Sequence, residues 1–379
     1  MSRGARLLFA TFFLPSFTTY VTMVLTPLYA LKLTSSLPLI SLLTTVYYAS
    51  FTSSSLLCGR LSDRLGGYAW FAAAGAALMG LLCIAIPAAK SFEWLMAVRG
   101  AQGLAQALVA PAGAALASLS ADRSSRGRAV SVYNLSVSSG YLAGSMLSGV
   151  ASEGLGLEGA FILGGVPSLA AAGLALGLRG LEGRRGRAEG VGGARVIYVS
   201  FFLRNAGATG VWALLPVYLA SLGASKLWIG ALYAVNMASQ TVFMRYAGHL
   251  TDRIGRKPVF VLGLFASSIV FVIYGLSTHY LWMLPANVLL GLAWCSLITS
   301  STAYVGDRAP AEAQGAAMGM LFTTTGLAWI AGSGLAAALV DAVGLRNYMF
   351  VAALLSAAGG AYAGWFMEPG AREGPRRAA

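Results

Sequence analysis

Arg99, Gln102 and Gln106 stand at i, i+3 and i+7 in an otherwise apolar stretch, and Tyr233, Asn236 and Gln240 repeat that spacing in another. On a helix each trio falls on one face. Asn134 with Tyr141 adds polar groups in a third apolar stretch, Arg204, Asn205 and Trp212 do so in a fourth, and Trp294 lies in a fifth. A guanidinium keeps its proton in any protein environment, so within apolar surroundings it calls for an anion, carbonyls or water. The chemistry these residues can do is recognition: Arg99 and Arg204 as clamps for a carboxylate or phosphate ester, amides to orient the solute, and Trp212 and Trp294 as stacking walls. Interhelical hydrogen bonding is the other use of such amides.

Materials for catalysis are scarce. The two histidines, His249 and His279, fall between apolar stretches rather than within them, which leaves nothing for a Ser–His pair or a di-histidine metal site at membrane depth. Cys58, Cys83 and Cys295 are scattered and have neither metal-ligand nor disulfide spacing. We therefore expect no metal, no cofactor and no enzyme. A channel or receptor is disfavoured too, because no charged ring or Gly-Tyr-Gly filter is present.

The elements that must carry these side chains follow from composition. Of 379 residues, 57% are hydrophobic and only 10% charged, against about 25% charged in soluble domains. The medium is lipid, and runs of about 20 apolar residues recur along the chain, each long enough to cross the hydrocarbon as a helix. Six run from Leu7 to Leu31, Leu37 to Cys58, Trp70 to Ala88, Phe92 to Ala117, Ala129 to Ala151 and Gly159 to Leu178. Six more run from Val196 to Leu219, Leu227 to Ala247, Pro258 to Ser277, Leu281 to Tyr304, Gly315 to Val340 and Leu345 to Phe366. The first follows Arg3 and Arg6 as a signal peptide would, but it is too long for a signal h-region and is expected to remain as a helix. The third, sixth, ninth and twelfth runs lack Asn, Gln and charge in their cores, so they are expected to face lipid, with the polar faces of the others turned inward.

Net charge is +13, yet the basic residues are spread along the chain in a way that suits topology rather than nucleic acid. On the face that holds both termini the loops and tails carry twenty Lys and Arg, counting Arg245 at a helix end. The other face carries four, and only Arg99 and Arg204 lie within spans. The positive-inside rule then places both termini in the cytoplasm of a multi-pass cell-membrane protein whose basic face meets anionic lipid.

Two stretches organise the chain into halves. GRLSDRLGG begins at Gly59, and GHLTDRIGRK begins 189 positions later at Gly248, each between the second and third runs of its half. DRSSRGRA from Asp122 and DRAPAEAQGA from Asp307 form a weaker echo after the fourth and tenth runs. Residues 1–178 are expected to form an N-terminal six-helix bundle, 179–195 a Gly- and Arg-rich cytoplasmic linker, 196–367 a C-terminal six-helix bundle and 368–379 a cytoplasmic tail. Parallel six-helix repeats with a ligand site at their interface are an established transporter design.

On these loops the chain resembles the major facilitator superfamily over nearly its whole length. That family's loop signature is Gly-x-Leu-a-Asp-Arg-x-Gly-Arg-Lys. Gly248, Leu250, Asp252, Arg253, Gly255, Arg256 and Lys257 fit it, as do Gly59, Leu61, Ser62, Asp63, Arg64 and Gly66, after which Gly67 and Tyr68 depart. The resemblance implies an all-α fold of twelve transmembrane helices in two pseudo-symmetric bundles. It also implies a cytoplasmic latch in which the loop Asp and Arg work with a carboxylate after the fourth or tenth helix. Arg256 and Asp307 supply both partners in the second half; in the first, Asp122 is present but Gly67 replaces the Arg, leaving Arg64 or Arg126 as substitutes. LMAVRGAQG, from Leu95 to Gly103, resembles the family's fourth-helix pattern, whose Arg is associated with proton coupling in relatives. Gly140, Gly144 and Gly149 match the fifth-helix antiporter pattern in part, with Ser145 where Pro is expected.

The implied function is secondary active transport of a small solute, an organic anion on the strength of the two arginines. The alternative is a proton-coupled multidrug or small-molecule efflux antiporter. The expected partners are that solute, protons as a candidate coupling ion, and membrane lipids, with no nucleic acid and the chain acting as a monomer.

Overall fold

The computed structural model describes residues 3–65, 67–119, 126–179, 194–308 and 314–368. Its helices are α1 (Arg3–Ala30), α2 (Leu37–Leu65), α3 (Tyr68–Ala85), α4 (Phe92–Leu119), α5 (Arg126–Gly154) and α6 (Gly156–Leu176), then α7 (Arg195–Ser221), α8 (Lys226–Ile254), α9 (Arg256–Leu276), α10 (Met283–Arg308) and α11 (Gln314–Phe366). The last is two spans in one: Gly344, at φ 80° and ψ 158°, breaks it, so twelve α-helices result among the described residues. Glycine alone tolerates that backbone conformation without strain. Most of the linker, and the tail from residue 369, lie outside the described residues.

Among the described residues, six helical stretches, in α1, α3, α6, α9, α10 and α11, are individually long and apolar enough to cross a membrane. The other helices carry more hydroxyls, amides and charge, which the fold turns away from lipid. Leu81, Leu163, Ile269 and Leu354 are exposed on the outside, as lipid-facing residues must be. Trp94, Trp228 and Trp282 ring one rim, with Trp70 and Trp365 at the other, the positions where aromatic side chains meet headgroups.

Apolar packing is divided unequally between the two ends of the molecule. Towards the face opposite the repeated loops, one continuous cluster joins both halves, from Val21, Leu25 and Phe161 to Leu214, Tyr274 and Tyr348. Towards the repeated-loop face there are two separate clusters. One, around Leu8, Phe12 and Leu116, belongs to the first half; the other, around Phe201, Phe260 and Leu321, belongs to the second. Two bundles that share a core at one end and keep separate cores at the other form a wedge that opens on the repeated-loop face.

The shared end is sealed where α5 meets α8 and α2 meets α11. A Cβ on Gly230 would lie 2.5 Å from the Ser145 carbonyl oxygen, and one on Gly149 would lie 2.9 Å from the Lys226 carbonyl oxygen, so these glycines let α5 and α8 touch backbone to backbone. Ser41 Oγ donates to the Ser333 carbonyl at 2.8 Å, and Thr45 Oγ1 donates to Ser333 Oγ at 2.9 Å. The Lys226 ammonium donates to the Ser152 carbonyl at 3.4 Å, and the Leu227 N–H to Glu153 Oε1 at 3.0 Å. These four hydrogen bonds between the bundles all lie towards the sealed face.

Candidate functional site: a central cavity between the bundles

The wedge encloses a cavity of about 360 Å3. α1 contributes Phe12, Ser16, Thr19, Tyr20 and Met23, α2 Tyr47, Tyr48 and Phe51, α4 Gln106, and α5 Tyr133, Val137 and Tyr141. From the second half come Arg204, Asn205, Thr209 and Trp212 on α7, Asn236, Met237 and Gln240 on α8, Trp294 on α10 and Trp329 on α11. α3, α6, α9 and the second arm of α11 contribute nothing to this wall, as their lack of amides and charge led us to expect.

Among the described residues Arg204 is the single charged side chain in the cavity wall, and no described carboxylate joins it. Its Nε donates to Ser267 Oγ at 3.2 Å and its Nη1 to Asn205 Oδ1 at 3.2 Å, while its guanidinium carbon lies 5.2 Å from the centre of the Trp294 ring. The side chain is therefore held in place from behind, by neutral groups that leave its charge uncompensated. Aromatic rings dominate the rest of the wall: Tyr20 stacks on Tyr141 at 4.4 Å, and Tyr48 meets Trp329 at 4.7 Å across the two bundles. Flat apolar faces beside one fixed cation suit an amphipathic aromatic solute.

The amides serve both of the uses open to them. Asn236 Nδ2 donates to the Asn287 carbonyl of α10 at 3.2 Å, and Gln240 Nε2 to Asn236 Oδ1 at 2.8 Å, so this pair ties helices together and also lines the cavity. Gln106 Oε1 accepts from Thr19 Oγ1 at 3.3 Å.

Four of the expected binding residues do not line the cavity. Arg99, Gln102 and Tyr233 are fully covered; Tyr233 lies behind Trp212, ring centres 4.6 Å apart, and donates to the Trp212 carbonyl at 3.3 Å. All three occupy turns towards the sealed face, where the bundles close and the cavity ends, so a shared helical face with Gln106 or Asn236 does not suffice. Asn134 fails at the other end. It is exposed near the repeated-loop end of α5, where the bundles have separated and nothing encloses it.

The repeated loops show a paired cluster in the second half. Arg256 Nε lies 2.9 Å from Asp307 Oδ2, and Arg256 Nη1 lies 3.5 Å from Asp252 Oδ1. Gly255, at φ 98°, turns the chain from α8 into α9 and brings Arg256 to this position. Arg253 is exposed, no group stands within 4 Å of where a Cβ on Gly248 would be, and the nearest to one on Gly59 is Pro111 at 3.9 Å. Arg64 is exposed as well. The side chains of Asp63 and Arg126, and Asp122 entirely, lie outside the described residues, so the partners of the first latch are not placed.

Sequence reasoning missed most of the aromatic wall, including Tyr20, Tyr47, Tyr48, Phe51 and Trp329. Phe12, Ser16, Thr19, Tyr20 and Met23 do follow helical spacing, but α1 is apolar on every side and offers no contrast between faces.

Paired six-helix bundles closed at one end around a central cavity define a multi-pass membrane protein of the two-bundle transporter class. The model of the Major Facilitator Superfamily matches residues 7–194 and 197–379, and the chain belongs to that family. Its fold resembles that of a bacterial homolog of the human lysosomal transporter Spinster in an inward-facing, unoccupied conformation, with TM-score 0.79 and 14% identity over 96% of this chain and 97% of that one. It also resembles the nucleoside transporter NupG, with TM-score 0.81 and 13% identity over 95% and 99% of the two chains. Among curated proteins, it is 27% identical over 161 residues to Multidrug resistance protein 2 of Bacillus subtilis (strain 168), a match covering 42% of this chain and 40% of that protein. It is 28% identical over 163 residues to Multidrug resistance protein MdtG of Escherichia coli (strain 55989 / EAEC), covering 42% and 40%. The match thus spans about 40% of the length of these relatives.

Proposed function

We propose that this protein is a secondary active transporter that carries a small aromatic organic anion across the cell membrane by alternating access. The observation that carries this proposal is the cavity wall, in which, among the described residues, Arg204 is the one charge beside ten aromatic rings. A buried guanidinium without a counter-ion gains most from a solute that brings its own negative charge. With the repeated-loop face in the cytoplasm, by the distribution of Lys and Arg, the wedge opens inward and the sealed face is extracellular. The chain works as a monomer, because the two bundles of one copy complete the cavity.

A second reading has a specific support. The curated relatives are named multidrug resistance proteins, which favours export of several unrelated apolar compounds, with protons as coupling ion. The same aromatic faces would serve such compounds, since stacking tolerates variety.

The test is uptake and efflux in proteoliposomes across a panel of anionic, neutral and cationic aromatic solutes, with and without an imposed pH gradient. Transport restricted to anions supports the first reading. Transport across the panel, driven by the gradient, supports the second, and no transport of any aromatic solute refutes both.

A further inference from the structure

We propose that Arg99 and Gln102 hold a small monovalent inorganic anion of the halide class inside the first bundle, in a site separate from the central cavity. Arg99 is 3% exposed and Gln102 0%. Arg99 Nη1 donates to Gln102 Oε1 at 2.8 Å, which leaves Arg99 Nε and Gln102 Nε2 buried with no hydrogen-bond partner. The ring of Tyr47 covers the guanidinium at 4.4 Å, and Tyr47 and Tyr48 line the cavity where Arg99 does not. Behind them Gly103 brings α4 into backbone contact with the Tyr47 carbonyl of α2, so the site is shut on that side as well.

Charge balance decides what belongs there. The four ion pairs among the described residues do not include Arg99, and no described acidic residue lies in the interior of a first-bundle helix. Water could satisfy the two orphaned N–H groups but would leave a full positive charge at membrane depth, and the guanidinium does not lose its proton. A Tyr ring face compensates only a part of that charge. Arg204 is as deeply buried, but it lines the cavity, where solvent or solute can reach it. Two unused donors and one unit of charge match a spherical monovalent anion. A phosphate or sulfate would bring more charge and more acceptors than the site can meet.

The experiment uses the purified full-length protein and follows its melting midpoint in sodium chloride, bromide or iodide against sodium gluconate at equal ionic strength. A saturable halide-dependent rise is expected in the wild type and in Arg204→Gln. Arg99→Gln should abolish it, and Gln102→Leu should weaken the apparent halide affinity about tenfold or more through loss of one donor to a charged partner. If Arg99→Gln cannot be recovered folded, Gln102→Leu decides. Equal midpoints in halide and gluconate, an unchanged halide midpoint in Gln102→Leu, or a response lost in Arg204→Gln but kept in Arg99→Gln would each overturn the proposal. Halide binding is read here without any transport, so its failure leaves the organic-anion proposal untouched.

Discussion

Glu153, at the end of α5, accepts a hydrogen bond from the backbone N–H of Leu227 in the first turn of α8, so a carboxylate of one bundle caps a helix of the other. Helix N-termini favour negative charge, which makes this contact worth more to the ionised acid than to the neutral one. The Ser225 hydroxyl, the Leu227 N–H and then the Lys226 ammonium hold the Glu153 carboxyl below its ordinary range. The Lys32–Glu158 pair stands nearby, with Glu158 also feeling Lys226. When the face opens, these partners are lost and the acid returns to its ordinary pKa of about 4.3. The stabilisation of the sealed face is therefore complete above that value and is lost as pH falls below it towards the depressed one. Spin labels on Ser35→Cys and Ser221→Cys should report a longer distance as pH drops below about 4. Glu153→Gln should lengthen it at neutral pH and flatten the dependence. A distance indifferent to both would remove Glu153 from the seal.

The glycine contact beneath that cap is a steric requirement. In Gly230→Ala the new Cβ would meet the Ser145 carbonyl oxygen and the Gly149 amide, both backbone atoms that cannot rotate away. Overpacking of this kind costs about 1–3 kcal/mol, and here it falls on the sealed state alone, a population shift of roughly five- to hundredfold. The same spin-label pair should show the open-face population rising while each bundle stays folded. An unaltered distance distribution in Gly230→Ala would mean that α5 and α8 do not need this contact to close.

How much of this was legible in the sequence depends on contrast and on spacing. Arg256 and Asp307 were identifiable as partners only through the resemblance of their loops to the family's signature, and they pair at 2.9 Å. The four outer helices stood out by what they lack. Tyr47, Tyr48 and Trp329 did not stand out, because a ring that faces a cavity and one that faces lipid are the same residue type in the same apolar run. Arg99 and Gln102 share a helical face with Gln106, yet the depth at which the cavity ends is set by how the two bundles meet, which periodicity within one helix does not encode. Asn134 was misplaced by the same blindness at the opposite end.

Asp252→Asn separates folding from gating. Asp252 is 74% exposed and meets Arg256 only at 3.5 Å, while Arg256 keeps its closer contact with Asp307, so the substitution should change stability by less than about 1 kcal/mol. If the loop latches its face in the alternative conformation, as the family resemblance implies, loss of the charge favours the conformation with that face open. Labelling of a single cysteine introduced at Phe51, in the cavity wall, should then become faster from the repeated-loop side. Labelling at the wild-type rate would leave Asp252 with no part in the latch.

Arg204 and Trp212 face the same cavity with different chemistry, and a paired substitution makes use of that. Arg204→Gln keeps hydrogen-bonding capacity but removes the charge, so it should weaken binding of an aromatic carboxylate by about 1.5–3 kcal/mol, roughly ten- to hundredfold, and leave its uncharged amide analogue within about threefold. Trp212→Ala removes a wall instead and should weaken acid and amide alike, by about 0.5–1.5 kcal/mol beyond lost contact area. Arg204→Lys should fall between wild type and Gln, because a point charge cannot reproduce the planar fork now held by Ser267 and Asn205. Binding measured by quenching of intrinsic tryptophan fluorescence for the acid and amide pair supplies the discrimination ratio directly. If that ratio is the same in wild type and Arg204→Gln, the cavity cation does not select its solute by charge, and the aromatic wall alone must account for recognition.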